Sequence, residues 1–213
     1  MSYLVATEDV VRSYVELRDR MIALLRELPA DAAQITVPHC PEWTVQETVS
    51  HMMGVPEAIM LGDMEGVAGE EWTQRQVERH RGESLKDLAD AWEAQGPQFL
   101  QILPNIPQPT LSQFVFDVTS HEHDVRHAVG QPGARDSGAV TVGLGFIKTV
   151  IDSRDGIDIA VVNQSTVSTF DLFRSLGGRR SLEQIAEIGL DVEYVKKAID
   201  PLPYSIPTIP IPE

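Results

Sequence analysis

An aspartate and a histidine four residues apart are the first residues in the sequence whose spacing suggests chemistry. Asp117 and His121 lie in a segment with helical periodicity, where a separation of four places both side chains on one face. Phe114, Val118 and Val125 share that face, so it is expected to point into the protein interior. Because an unpaired polar group in the interior costs about 1–3 kcal/mol, both side chains need a partner.

A divalent metal is one partner that satisfies both side chains. His51 is the candidate for a third ligand, because it stands beside Met52 and Val55 at the buried edge of another predicted helix. Two histidines and one carboxylate form a ligand set used by catalytic zinc and by non-haem iron, with coordination positions left open. Two plainer interpretations stay open: Asp117 and His121 can hydrogen-bond to each other, and His51 can be a satisfied core residue.

The neighbouring candidates favour structural roles. His123 and His127 lie on the opposite face from His121, and we expect them to be exposed and solvated. Cys40 stands near the start of a predicted helix, where the helix N-terminus can lower the pKa of a thiol. Cysteine more commonly serves as a small buried packing residue, however. Trp43 is expected to pack against the helix entrance.

Four amphipathic helices are predicted to position these residues. In each helix, apolar residues recur at spacings of three and four. A capping box, Thr44-Val-Gln-Glu47, begins the second helix. Four helices of this length are typical of a bundle. The predicted segments are 10–28, 44–59, 84–103 preceded by a shorter helical piece at 70–80, and 110–129.

The last third of the sequence is less regular, and we expect it to form a small α+β extension. The predicted domains are a metal-binding bundle over 1–135 and this extension over 136–213. Five prolines between positions 201 and 212 predict an extended tail that lies over the body. Within the extension the sequence predicts a helix or a strand at 140–150, strands at 157–162 and 165–168, and helices at 169–176 and 181–189.

Composition excludes several classes of function. The chain has 213 residues, 17 basic and 32 acidic, for a formal net charge of −15. Nucleic acids and anionic membranes are bound through Lys/Arg clusters, which this sequence lacks. A single cysteine excludes an internal disulfide and a zinc site built from several thiolates. Without a leader-like start or a long apolar run, the chain is expected to be cytoplasmic and to bind neither nucleic acid nor a membrane.

Three motifs resemble the mycothiol-dependent maleylpyruvate isomerase family, which belongs to the DinB/YfiT-like four-helix metalloproteins. The residues Cys-Pro-Glu-Trp-Thr-Val at 40–45, followed by Ser50-His51, resemble the family's C-P-G-W-T-V…H. The segment His-Glu-His-Asp-Val-Arg-His-Ala-Val-Gly at 121–130 resembles H-E-x-D-I-R-x-x-L-G. The segment 170–181 resembles F-E-L-x-R-x-x-x-G-R-R-S. In this order the motifs cover the chain from about residue 38 to residue 185.

The resemblance implies a mainly α fold, a DinB-like four-helix bundle, with a divalent metal on His51, Asp117 and His121. Zinc is the first candidate for this metal, with nickel and iron as alternatives. Family members commonly carry a glutamate where this chain has Asp117. The resemblance also implies a low-molecular-weight thiol, such as mycothiol, as cosubstrate and a small electrophile as substrate.

The function implied by the resemblance is that of a metal-dependent S-transferase or cis–trans isomerase. Asp124 and Arg126 are the candidate catalytic residues, since Asp124 can orient a metal ligand and Arg126 can pair with a carboxylate. Arg174 is the candidate residue for binding the cosubstrate. Two alternatives stay open: a non-catalytic binding or regulatory bundle, favoured by Asp117, and an iron oxygenase or hydrolase. The protein is expected to be a monomer or a homodimer.

Overall fold

Helices dominate the computed structural model, which describes residues 2–200 and 206–213. The predicted mainly α fold is therefore confirmed. The one sheet in these residues pairs β1 (Thr36–Val37) antiparallel with β2 (Cys40–Thr44). The described helices are α1 (Thr7–Glu27), α2 (Val45–Leu61), α3 (Glu70–Arg79), α4 (Leu85–Ile102), α5 (Thr110–Ala128), α6 (Gly138–Asp152), α7 (Ala160–Asn163), α8 (Thr169–Leu176), α9 (Leu182–Glu187) and α10 (Val192–Ile199). Short 3₁₀ turns occupy Ala30–Gln34 and Leu103–Asn105.

The start and end of α2 follow from its sequence. The Thr44 hydroxyl accepts from the backbone N–H of Glu47 at 3.2 Å, and the Glu47 carboxylate accepts from the backbone N–H of Thr44 at 2.9 Å. This is the predicted capping box, which satisfies two donors of the first turn. The helix ends at Gly62, whose φ of 69° lies in the left-handed region that glycine adopts without strain.

The described residues fall into two compact units. One comprises Tyr14–Pro107 and His121–Gly133, and the other comprises the described parts of Met1–Ser13, Gln108–Ser120 and Ala134–Glu213. The helix α5 is continuous and contributes residues to both. The domain division expected at residue 135 stays a prediction.

The core of the unit that contains α2, α3 and α4 is built on aromatic contacts. The rings of Tyr14 and Phe99 meet edge to face at 5.5 Å between centroids. Trp92 donates from its indole nitrogen to the Tyr14 hydroxyl at 3.2 Å. Burial raises the pKa of Tyr14 far above its usual value, so this hydroxyl stays neutral and the core contains no charge at this point.

The core of the other unit lies between α6 and α8. Gly143 of α6 lets Phe173 of α8 approach closely, since a Cβ at Gly143 would lie 2.6 Å from the Phe173 ring. The Phe173 ring also meets Phe116 edge to face at 5.8 Å between centroids. The segment 140–150, for which the sequence allowed a helix or a strand, is thus helical and supplies one wall of this core.

The strands predicted at 157–162 and 165–168 are wrong. Residues 160–163 form the short helix α7, and the Asp158 carboxylate accepts from the backbone N–H of Ala160 at 2.9 Å just before it. Ile157 and Ile159 pack against the apolar cluster from this irregular segment. The described part of the extension therefore contains helices and no strand, and it includes α10, which the sequence analysis missed.

The proline-rich tail is described in part. Positions 201–205 lie outside the described residues, and 206–213 form neither helix nor strand. None of the described helices has both the length and the hydropathy of a membrane span.

Candidate metal centre

His51 lies on a buried turn of α2 and is held there by a residue of α3. The residue is 4% exposed, and its Nδ1 lies 2.7 Å from the Oε1 of Gln76. An amide oxygen only accepts, so Nδ1 carries the proton and Nε2 presents a lone pair. This is the tautomer in which a histidine binds a metal through Nε2.

Gln76 is a residue of this site that the sequence analysis missed. A Cβ at Gly54 of α2 would lie 2.7 Å from the Cβ of Gln76, so glycine is what lets α3 approach. Gln76 is 1% exposed, and its Nε2 has no hydrogen-bond partner among the described residues. Since an unsatisfied buried amide costs about 1–3 kcal/mol, orienting His51 explains why a glutamine occupies this position.

His121 is held by a carboxylate on its own helix. Its Nδ1 lies 3.3 Å from the Oδ2 of Asp124, which is fully buried one turn further along α5. The Cys40 thiol of β2 lies 3.7 Å from the same oxygen and 3.9 Å from Nδ1 of His121. A carboxylate on Nδ1 leaves Nε2 as the metal-binding atom. The orienting role of Asp124 stays a prediction, and this geometry favours it.

The structure brings the three predicted ligands together. The ligand atoms of His51, Asp117 and His121 all lie within 4.8 Å of one another, and Asp117 precedes His121 by one turn of α5. The two imidazole rings are perpendicular, with centroids 5.2 Å apart. Two imidazoles and one carboxylate, with further positions open, fit a divalent ion of the catalytic zinc type.

Trp43 lies against both of these histidines. Its ring centroid is 5.3 Å from that of His51 and 5.8 Å from that of His121. The expectation that Trp43 packs against the helix entrance stays a prediction. Its ring packs on the two rings that carry the candidate ligand atoms, so it helps to fix their orientation.

A second donor group shares His121. The ligand atoms of Cys40, His121 and Asp124 also lie within 4.8 Å of one another. In this group His121 would bind a metal through Nδ1, the nitrogen that faces Asp124. Because ligating histidines commonly donate their other N–H to a carboxylate, the geometry favours the first group as the metal site, with Asp124 and Cys40 as its supports.

The prediction that His123 and His127 are exposed is wrong. His123 is 5% exposed, and the half-buried His127 meets the ring of His39 at 5.1 Å between centroids. Within their unit, this part of α5 is covered from more than one side. Arg20 of α1 pairs with Glu122, and the turn between the strands contributes His39. A helix enclosed in this way has no solvated stripe.

Arg126, a predicted catalytic residue, lies in an ion-pair network. Its Nε donates to the Oε1 of Glu122 at 3.0 Å, and Arg20 approaches the other oxygen of Glu122 at 2.9 Å. Arg126 belongs to neither donor group. A catalytic role for Arg126 stays a prediction.

Arg174, the predicted cosubstrate-binding residue, is fully buried on α8. Its Nη1 donates to the backbone oxygen of Ser120 at 3.3 Å, and its Nε donates to the Oε1 of Glu213 at 2.9 Å. Arg174 thus holds a carboxylate, which comes from this chain. Binding of a cosubstrate by Arg174 stays a prediction.

The fold and the donor groups define a class of protein: a helical, DinB-like domain with residue groups that could hold a divalent metal. A family model described as the mycothiol maleylpyruvate isomerase N-terminal domain matches residues 14–126, just over half of the chain. The chain belongs to this family, as the motif resemblance predicted, and the matched segment contains His51, Asp117 and His121. No curated protein and no solved structure matches the chain.

Gln76→Leu is expected to weaken zinc binding by roughly 10–100-fold, because removing a supporting residue of this kind typically has such an effect. The measurement is a competition titration against a chromophoric chelator. Gln95→Leu is the matched control, since Gln95 donates to the backbone oxygen of Met53 at 3.0 Å and contacts no candidate ligand in the described structure. Equal zinc affinity in both variants would show that Gln76 does not orient His51.

Proposed function

We propose that the chain is a metal-dependent enzyme that uses a low-molecular-weight thiol, of the mycothiol type, as a nucleophile toward a small electrophile. Membership of a mycothiol-related family supports the choice of thiol. The observation that carries the proposal is the set of three donors within 4.8 Å, on His51, Asp117 and His121. A divalent ion held there, zinc in the first instance, would supply the positive charge that lowers the pKa of a thiol.

The residues around these donors support the proposal by fixing their orientation in advance. The Oε1 of Gln76 lies 2.7 Å from Nδ1 of His51, and the Oδ2 of Asp124 lies 3.3 Å from Nδ1 of His121. The two imidazole rings therefore present their Nε2 lone pairs without having to reorient when a metal binds. His51 and His121 are 4% and 6% exposed, so charges act there in poorly hydrated surroundings, where they interact more strongly than in water.

Two reactions are consistent with a thiolate nucleophile. In an S-transfer, the sulfur forms a bond to an electrophilic carbon and the leaving group departs with the electron pair. In a cis–trans isomerisation, the sulfur adds to a conjugated double bond, the resulting single bond rotates, and the thiolate is expelled. In this proposal Asp124 is a positioning residue, and Arg126 or Arg174 pairs with a carboxylate of the substrate or cosubstrate.

The test is a conjugation assay with the zinc-loaded protein, mycothiol and a fluorogenic bromobimane at pH 7. Lowering a thiol pKa from about 8.5 to about 7 raises the thiolate fraction roughly tenfold, and we expect at least that acceleration over the same mixture without protein. His51→Ala should lose the acceleration. His127→Ala, which removes a histidine outside both donor groups, should keep it.

A non-catalytic binding protein is the second candidate, and Asp117 is the observation that favours it. The aspartate is one methylene shorter than the family's glutamate. Its carboxylate therefore lies further from a metal held by the two histidines. Stoichiometric zinc without any acceleration of the thiol reaction would support this candidate. Acceleration that depends on zinc and on His51 would exclude it.

A further inference from the structure

Two arginines near the end of the chain hold one carboxylate between them. Arg174 donates from Nε to the Oε1 of Glu213 at 2.9 Å, and its Nη2 donates to the same oxygen. Arg180 places its Nη2 3.0 Å from the Oε2 of Glu213. The Glu213 side chain is 5% exposed, and Arg174 is fully buried. The carboxylate is therefore removed from water and bound by both guanidinium groups.

The arginines offer more donors than Glu213 uses. Arg180 also pairs with the Oδ1 of Asp171 at 3.1 Å, and Arg174 donates to the backbone oxygen of Ser120 at 3.3 Å. The buried Nε of Arg180 has no hydrogen-bond partner within the described residues. A guanidinium is a planar fork of donors that matches a carboxylate in two-pronged fashion. The Nε–H of Arg180 is therefore a donor that the Glu213 carboxylate leaves unused.

Glu213 reaches the arginines on a segment that is exposed along much of its length. Residues 206–213 form neither helix nor strand, and Ile209 is 69% exposed. Gln184 of α9 anchors this segment, donating to the Ile211 oxygen at 2.7 Å and accepting from the Ile211 N–H at 3.4 Å. A segment without regular structure opens at a smaller free-energy cost than the buried helix α8 that carries Arg174. Release of Glu213 is therefore expected to cost less than displacement of Arg174.

We propose that Arg174 and Arg180 form a binding site for a carboxylate of a small organic acid, and that Glu213 occupies this site as an internal competitor. An incoming carboxylate takes the place of the Glu213 carboxylate between the two guanidinium groups. Because Arg174 binds the carbonyl of Ser120, the residue directly before His121 on α5, a ligand here lies next to the helix that carries candidate metal ligands. The proposal concerns anion binding alone and does not depend on the metal or on catalysis.

The test is isothermal titration of metal-free protein with succinate at constant ionic strength. Glu213→Gln removes the competing charge and nearly preserves the side-chain shape, so we expect it to bind succinate at least tenfold more tightly than the wild type. Glu187→Gln is the matched control, since it removes one negative charge from an exposed position on α9 and should bind succinate like the wild type. Adding Arg180→Gln to Glu213→Gln should abolish the gain.

Thermal unfolding of the same proteins keeps the test decisive if Glu213→Gln is less stable. Succinate should then raise its unfolding midpoint more than that of Glu187→Gln. Equal succinate binding by the wild type and Glu213→Gln, or equal midpoint shifts, would overturn the proposal. Phosphate binding as tight as succinate binding would overturn the carboxylate assignment. Zinc titrations of these variants report on the metal site separately, so failure of the proposed function leaves these results unchanged.

Discussion

His51→Ala is expected to reduce bound zinc from about one ion per chain to none after gel filtration, with the fold retained. Zinc sites with four protein ligands bind with about 10–16 kcal/mol, so one ligand contributes on the order of 3 kcal/mol, or roughly 100-fold in affinity. A site with three ligands binds zinc more weakly than one with four, so losing a further ligand is expected to leave it without zinc. The measurement is plasma emission spectrometry of untagged protein, with circular dichroism to verify the helical content.

The controls for this experiment separate the two donor groups that share His121. His127→Ala lies outside both groups and should keep its zinc. Cys40→Ser should also keep its zinc, because the Nδ1 of His121 faces Asp124 and leaves Nε2 for the group with His51. Zinc retained in His51→Ala and lost in Cys40→Ser would assign the metal to Cys40, His121 and Asp124 instead.

The candidate ligands could be predicted because helical geometry is local. A spacing of four places Asp117 and His121 on one face whatever surrounds the helix, and the capping box at Thr44 sets where α2 begins. His51 required a further assumption, that a histidine at the buried edge of one helix faces the polar pair on another. The structure brings the three residues together, as that assumption requires.

The supports of these ligands could not be predicted, because each depends on a contact between distant segments. Gln76 meets His51 across 25 positions, and only the close approach of two helices at Gly54 allows it. Cys40 reaches Asp124 across 84 positions because it lies on a short strand that the sequence analysis assigned no structure. No periodicity in a single sequence records such pairings.

The wrong predictions have a physical cause as well. The expectation that His123 is exposed required α5 to have one buried stripe. Residues 121–125 are instead all buried, so this turn of α5 has no exposed side. The apolar run at 157–162 contains too few residues to distinguish a strand from a buried helical segment. In the structure this run ends in the short helix α7, and Asp158 accepts from the backbone N–H of its first residue, Ala160.

Glu122→Gln is expected to lower the free energy of unfolding by about 2–3 kcal/mol. Glu122 is fully buried on α5 and pairs with Arg20 at 2.9 Å and with Arg126 at 3.0 Å. Removing one member of a buried ion pair costs about 3–5 kcal/mol, and partial exposure of Arg20, 29% at its side chain, reduces this cost. Urea denaturation followed by circular dichroism measures the change.

Glu93→Gln separates the effect of burial from the effect of charge. Glu93 on α4 pairs with Arg26 of α1 at 2.6 Å, closer than the pairs of Glu122, but both partners are exposed. Exposed pairs are solvated before and after the substitution, so Glu93→Gln should leave the urea midpoint nearly unchanged. If Glu122→Gln and Glu93→Gln had equal urea midpoints, the result would mean that water reaches Glu122. In that case the enclosure of α5, on which the orientation of His121 and Asp124 depends, would be looser than the structure indicates.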